Sequence, residues 1–276
     1  MSISQTSEGV VEQSPRHGAR VLPFMNRHLE LIVGTLTVAI FLFLWQFARE
    51  LGIPRLSNLR PPTEIISASI DLLSSKKFWT ACYLSFFRIT SGFLLAQVIG
   101  IPLGILMGLS RSSFNTIFPI TEILRPIPPV AWIPISIIFW PSREMSMIFI
   151  IFLGAFWIVL INAIGGASVI PQAYKQAALS LGSSKVDLLR YIILPAALPS
   201  IITGMVIGMG VSWEMVVAAE MISGDTGLGY LLWQSFEINA TAQVIVCMIS
   251  IGIAGYISSS VIRLIGRRLT PWISER

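Results

Sequence analysis

Residues 171–195, PQAYKQAALSLGSSKVDLLRYIILP, form a polar insert between two strongly apolar parts of the chain. The helical pattern of the insert ends at Gly182, a residue type that readily adopts the left-handed conformation of a helix C-terminus. Ser184 and Asp187 have the spacing of a capping box, which predicts the start of a second helix. Pro195 stands where the next apolar run begins and predicts a kinked entry into it. The segment is therefore predicted to form two short helices joined by a tight glycine turn.

The remainder of the chain has the composition of a membrane protein. Hydrophobic residues make up 54% of the sequence and charged residues 12%, about half of the roughly 25% found in ordinary globular domains. Six apolar runs have lengths suited to crossing a bilayer. They lie at 31–49, 80–109, 115–140, 145–164, 196–221 and 243–265. Because hydrocarbon cannot satisfy open backbone groups, these runs predict an all-α, polytopic membrane protein with six transmembrane helices.

The distribution of Lys and Arg predicts how the chain is oriented. These residues are more frequent in the segments on the side of the N-terminus than in the opposite segments, which is typical of the cytoplasmic side. We therefore expect a cytoplasmic tail at 1–30, a transmembrane domain at 31–268 that includes the cytoplasmic insert 171–195, and a second cytoplasmic tail at 269–276. The polar first thirty residues lack the apolar core of a cleaved signal peptide. The net charge of +5 is then explained by orientation, and no nucleic-acid partner is expected.

Small residues recur every four positions in the second apolar run. Residues four apart lie on one helix face, and small side chains let another backbone approach closely. The pattern fits a packing surface within the chain better than the seam of a dimer. Its members are Gly92, Ala96, Gly100, Gly104 and Gly108.

The third apolar run combines several prolines with two charges. Each internal proline removes a backbone hydrogen bond, and irregular backbone at membrane depth is tolerated only inside protein or beside a water-filled cavity. Glu122 and Arg125 share one helix face, where they either lock the kinked helix as a pair or guide a substrate. Candidate residues for a translocation pathway are Glu122, Arg125, Trp132, Trp213 and Glu214.

Two further charges within apolar runs allow similar alternatives. Arg88 is expected to pair with a lipid headgroup or with another span. Glu220 is expected to be a solvated residue at the outer interface. Cys82 and Cys247 show no paired spacing, so neither a disulfide nor a metal site is expected.

The insert resembles the cytoplasmic motif of binding-protein-dependent ABC importer permeases, which reads E-A-A, three residues, G, nine residues, then I-x-L-P. Here Gln176, Ala177 and Ala178 are followed at that spacing by Gly182 and by the sequence IILP at 192–195. Gln176 replaces the usual Glu, which removes a charged contact and leaves the helical pattern unchanged. The segments LRPIPPVAWIPISIIFW at 124–140 and VVAAEMISGDTGLGYLLW at 216–233 resemble the nitrate, sulfonate, taurine and bicarbonate branch of these permeases.

The resemblance implies a type I ABC importer permease fold with a cytoplasmic coupling helix. The protein would be a multi-pass subunit of the bacterial cytoplasmic membrane that moves a small anion and catalyses no reaction itself. Expected partners are a second permease subunit, identical to this one, two ATP-binding subunits, an extracytoplasmic substrate-binding protein and membrane lipid. No cofactor is expected on this chain, since ATP and Mg²⁺ would be bound by the ATPase. The residues implied to contact the ATPase are Tyr174, Lys175, Gln176, Ala177, Ala178, Leu181, Gly182 and Pro195.

Two other classes of protein have sequence features that this chain can be compared with. An ion-coupled secondary transporter is expected to show paired inverted repeats with matching broken helices, and the sequence has one strongly proline-broken run. An intramembrane enzyme needs a cluster of reactive side chains within the spans, and both histidines precede the first span. The sequence also lacks the phosphate-binding pattern G-x-x-x-x-G-K-[ST], which agrees with ATP being bound elsewhere.

Overall fold

The chain is helical along nearly all of its described length, as the sequence predicts. The structure is a computed structural model that describes residues 23–48 and 60–272, with side chains described for 32–47 and 60–272. The helices before the insert are α1 Pro23–Ala48, α2 Pro62–Ser74, α3 Lys76–Leu109, α4 Arg111–Leu124, α5 Ile133–Phe139 and α6 Arg143–Ser168. Those that follow are α7 Gln172–Ser180, α8 Lys185–Leu188, α9 Leu194–Ser223, α10 Leu228–Glu237 and α11 Thr241–Leu269. The first compact unit, Met1–Pro62, contains α1, and the second is Thr63–Arg276.

Fewer than six helices of the described part of the chain have the length and composition of a membrane span. Within the described ranges, four helical stretches are long and apolar enough to cross a bilayer: Lys76–Leu109, Arg143–Ser168, Lys185–Ser223 and Thr241–Leu269. A fifth span is reached only if α4 and the helical segment Pro129–Phe139 are counted together. In α1, the part whose side chains are described, Ile32–Phe47, is apolar. The prediction of six spans is therefore not confirmed as stated, although the all-α membrane architecture is.

Close packing of α3, α6 and α9 forms the centre of the second unit, with α6 between the other two. The small-residue face of α3 lies on α6, and a Cβ atom added at Gly104 would stand 2.5 Å from the Cβ of Ala163 and 2.8 Å from the carbonyl oxygen of Leu160. On the other side of α6, Gly204 of α9 approaches Asn162 just as closely. The small residues therefore serve packing within the chain, as predicted, because they let helix backbones meet without intervening side chains.

The run predicted as one span at 115–140 is broken. Its first part, α4, ends at Leu124, and a 3₁₀ turn at Pro129–Trp132 leads directly into α5. The two helical parts are bent by 84°. Pro126, Pro128 and Pro129 account for the break, since proline lacks the amide hydrogen that a helix needs and disfavours helical geometry in the residue before it. A kink was predicted, but a bend close to a right angle was not.

Candidate functional site

The insert forms the predicted helical hairpin, and backbone hydrogen bonds fix its turn. Gly182 has a φ of +86°, the left-handed conformation that glycine adopts at little cost. The amide of Gly182 donates to the carbonyl oxygen of Leu179 at 3.0 Å, and the amide of Ser183 donates to that of Ala178 at 3.0 Å. These two bonds make a Schellman motif, which satisfies carbonyl groups at the end of α7 and sets the direction in which the chain leaves it.

A capping box starts the second arm of the hairpin. The Ser184 hydroxyl accepts a hydrogen bond from the Asp187 amide at 3.2 Å, and the Asp187 carboxylate accepts one from the Ser184 amide at 3.2 Å. The short α8 passes through a π-helical segment, Leu189–Ile193, into α9. Pro195 lies in the first turn of α9, directly after the π-helical segment. The second arm and α9 therefore form a continuous helical stretch, Lys185–Ser223.

The first arm of the hairpin presents most of its side chains to the surroundings. Leu181 is 87% exposed and Tyr174 is 64% exposed. Gln176 and Ala177 are also exposed, whereas Ala178 is buried and Lys175 is half-buried. Large apolar side chains that protrude from a short helix with a fixed turn are typical of an element that docks into a partner.

A groove of about 700 Å³ lies beside the start of α7. It is formed where α3 turns into α4 and where α6 turns into α7, and its lining includes Arg111, Asn115, Ser168, Gln172 and Lys175. Both charged residues of this lining are basic, so the surface next to the hairpin is suited to an acidic partner surface.

The predicted pathway residues occupy three different environments. Glu122 and Arg125 form an ion pair of 3.4 Å with both side chains 44% exposed. Trp132 is half-buried and packs against the buried cluster that contains Ile133 and Ala219, and Glu214 in α9 is exposed. Trp213 is buried, and its indole nitrogen donates to the Ser258 hydroxyl at 2.9 Å, so it joins α9 to α11. Four of the five side chains are thus at least partly accessible on the single chain, and a pathway role stays a prediction for all of them.

Arg88 and Glu220 form the centre of a buried charge network. Both residues are fully buried, and Nη1 of Arg88 lies 2.7 Å from Oε1 of Glu220. The expectation that Glu220 is a solvated interface residue is wrong, because the chain after α9 folds back over its carboxylate. Of the alternatives for Arg88, pairing with another span is the correct one. The sequence signal was the occurrence of opposite charges inside two separate apolar runs, which requires a neutralising contact but does not identify it.

Two more elements complete the network. Nε of Arg88 donates to Oε2 of Glu144 in the first turn of α6 at 2.8 Å, and Nη2 contacts the other oxygen of the same carboxylate. Nη1 also donates to the carbonyl oxygen of Thr226 at 2.6 Å. The Ser85 hydroxyl donates to Glu220 at 2.8 Å and accepts from the Leu228 amide at 2.9 Å. One cluster therefore joins α3, α6, α9 and the turn before α10.

The two cysteines and the acidic residues form no metal centre in the part of the chain that is described. No group of three or more His, Cys, Asp and Glu side chains is arranged to hold a metal ion within residues 23–48 and 60–272. Cys82 and Cys247 are free thiols.

Comparison with known families identifies the class of the protein. The family model described as the inner-membrane component of binding-protein-dependent transport systems matches residues 100–275, which include the hairpin, the broken span and most of the charge network. The chain belongs to this family. It is a permease of ABC importers, and the resemblance inferred from the hairpin motif is confirmed.

Curated relatives match the permease over most of its length. The taurine transport system permease of Escherichia coli is 35% identical over 91% of this chain and 92% of its own. The nitrate import permease of a Synechocystis species is 34% identical over 93% and 95%. A putative ABC transporter permease of Methanocaldococcus jannaschii is 46% identical over 67% and 70%. Similarity to named transport permeases agrees with a transport subunit rather than an enzyme.

A solved structure supports the fold of the permease. A chain of the MetNI methionine ABC transporter, in inward-facing conformations, superimposes with a TM-score of 0.59 at 20% identity and covers 71% of the permease and 97% of that chain. The type I importer permease fold implied by the sequence motif is thereby confirmed.

Proposed function

We propose that this permease is the membrane-spanning subunit of an ATP-driven importer and that the hairpin 171–195 seats a separate ATPase subunit. The hairpin carries this proposal, because a turn fixed by a Schellman motif presents exposed apolar side chains to the surroundings. Two ATPase subunits bind two copies of the permease, and both ends of the chain lie on the cytoplasmic side of a bacterial cytoplasmic membrane. ATP and Mg²⁺ are held by the ATPase.

The connection from the hairpin to α9 supports a route for movement. Because Lys185–Ser223 is helically continuous, a displacement of α7 and its turn is carried into a span that packs along α6. Nucleotide binding by the ATPase thus shifts the permease between two states, one open to each side of the membrane. This is alternating access driven by a partner, and it needs no ATP-binding residues on this chain.

The substrate we propose is a small anion delivered by an extracytoplasmic binding protein. The names of the relatives support this class, since they include a taurine, a nitrate and a bicarbonate transport permease and a putative aliphatic sulfonate permease. Glu122, Arg125 and Glu214 lie in apolar segments and are exposed on the single chain, so lipid contact would be costly for them. A second copy of the permease and a water-filled pathway between the copies would remove that cost.

Substitution of Leu181 tests the proposed ATPase seat. Leu181→Asp replaces an apolar side chain that is 87% exposed, so the fold of the permease is expected to be retained while burial in the ATPase becomes unfavourable. We expect the variant to insert into the membrane normally and to lose at least about 90% of the ATPase that co-purifies with the wild type, since each 1.4 kcal/mol is roughly tenfold in affinity.

The matched control is Ile238→Asp, which places the same change on an apolar residue that is 66% exposed at the end of α10. Ile238 directly follows α10, which comes after the end of α9 that is far from the hairpin. ATPase recovery is therefore expected to stay at the wild-type level. Equal recovery with Leu181→Asp and with the wild type would contradict the proposed seat.

A further inference from the structure

The turn Gly224–Gly227, called the outer turn below, is built around one carboxylate. Oε2 of Glu220 accepts a hydrogen bond from the Gly229 amide at 2.8 Å. The Ser85 hydroxyl lies within hydrogen-bond distance of both carboxylate oxygens of Glu220, at 2.8 and 3.0 Å. Gly227 has a φ of +122°, and a side chain there would overlap the Glu220 carboxylate. The turn can therefore close over Glu220 only because glycine stands at this position.

Arg88 holds the same turn from the α3 side. Its guanidinium group donates to the backbone and to the hydroxyl of Thr226 while it pairs with Glu220 and Glu144. The planar group with five hydrogens can serve all these acceptors at once, which a lysine ammonium cannot do. Arg88 and Glu220 are both fully buried, so the ion pair between them is desolvated, whereas Glu144 and Thr226 are partly exposed partners of the same guanidinium group.

The network lies at the end of the bundle opposite the hairpin. Glu144 lies in the first turn of α6, and the other end of α6 leads into α7. Glu220 lies near the end of α9, and the start of α9 follows the hairpin. Helix α9 is thus connected to the hairpin at its start and contacts the outer turn through Glu220 near its end. The outer turn leads directly into α10. Helix α10 contacts α3 through Lys77 and Gln234.

We infer that Arg88, Glu144 and Glu220 are positioning residues of the transport cycle, because they fasten the outer turn to α9. In consequence the outer turn and α10 move with α9 when the hairpin moves. A purely stabilising core does not require this arrangement, since apolar side chains of similar volume stabilise buried helix contacts at least as well as an ion pair does. The exposed Asp225 and Thr226 are thereby presented in one orientation on the side where a binding protein would arrive. The inference rests on the proposed function.

Glu220→Gln tests this role with little change in shape. The amide retains an acceptor for Ser85 or Gly229 but no longer pairs with Arg88 as an ion, and Arg88 keeps Glu144. We expect backbone amides of 224–237 to exchange hydrogen on the order of ten times faster in the purified complex, because the turn opens more often. We also expect ATP hydrolysis stimulated by the loaded binding protein to fall roughly tenfold while the unstimulated rate is retained.

Two companion variants separate positioning from general stability. Arg88→Lys keeps the charge but not the forked geometry and is expected to give an intermediate loss of stimulation. Glu237→Gln makes the same chemical change on an exposed residue at the end of α10, outside the network, and should match the wild type.

The inference is overturned if Glu220→Gln and Arg88→Lys both keep full stimulation, or if both rates fall in equal proportion together with thermal stability. The wild type separates this result from failure of the proposed function. If the wild-type complex shows no stimulation at all, the importer assignment is at fault, whereas normal stimulation in the wild type and in both variants removes only the positioning role.

Discussion

At the scale of single residues, glycines determine how closely the central helices pack. Gly92, Gly104 and Gly108 of α3 each face a backbone carbonyl of α6 at less than 3 Å from where a Cβ would be. The periodicity of these residues was sufficient to predict such a surface, because spacing by four has a fixed meaning on a helix. That the surface faces α6 follows from the fold and could not be read from one helix alone.

A valine at Gly104 is expected to destabilise the permease. Its Cβ would overlap Ala163 and the Leu160 carbonyl, so α3 and α6 must move apart at a cost of about 1–3 kcal/mol. The matched control is Gly252→Val in α11, where no atom lies within 4 Å of an added Cβ. The thermal unfolding midpoint of the purified chain in detergent should fall clearly for Gly104→Val only, and equal midpoints would refute the packing account.

The burial of Glu220 and its partner in the fold are not revealed by the sequence. Its position near the end of an apolar run suggested an exposed carboxylate, yet the next nine residues fold back and supply Gly229 as a hydrogen-bond donor. Its partner Arg88 is 132 positions away in the chain. Pairing at such a distance depends on the arrangement of three helices, which local patterns do not encode.

At the scale of elements, the hairpin was predictable and the broken span was only partly so. The hairpin depends on local chemistry, namely a left-handed glycine and a capping box, and both act within a few residues. The prolines at 126–129 indicated an interruption, but the 84° bend depends on how α5 packs against α6 and α9.

The broken span leads to a prediction for Arg125. Its pair with Glu122 is partly exposed, and such pairs contribute about 0–1 kcal/mol, so Arg125→Gln is expected to leave folding and assembly intact. If Arg125 contacts the anion in the pathway, uptake should fall about tenfold, the effect of one lost hydrogen bond to a charged group. Initial uptake rates in vesicles measure this.

The control for this prediction is Arg263→Gln, which removes an exposed positive charge from α11. Uptake by this variant should equal that of the wild type. Wild-type uptake by Arg125→Gln as well would leave Arg125 with a structural pairing role only.

At the scale of the whole molecule, composition was sufficient to predict a helical membrane protein but not the number of its spans. From apolar length alone, the runs at 115–140 and 31–49 are each predicted to be a transmembrane helix. The structure divides the former, and it shows an apolar helix over Ile32–Phe47, the part of α1 whose side chains are described, for the latter. The family motif in the hairpin was the more specific signal, because it fixes residue types at defined spacings.

We propose that transport through this permease is driven by ATP hydrolysis in a partner subunit. The most direct measurement is uptake of labelled nitrate, taurine, an alkyl sulfonate and bicarbonate by vesicles containing the permease, its ATPase and its binding protein. We predict accumulation of one of these anions that requires ATP and the binding protein and persists when a protonophore and a sodium ionophore remove ion gradients. Accumulation that proceeds without ATP and stops when the gradients are removed would contradict the account and favour an ion-coupled transporter.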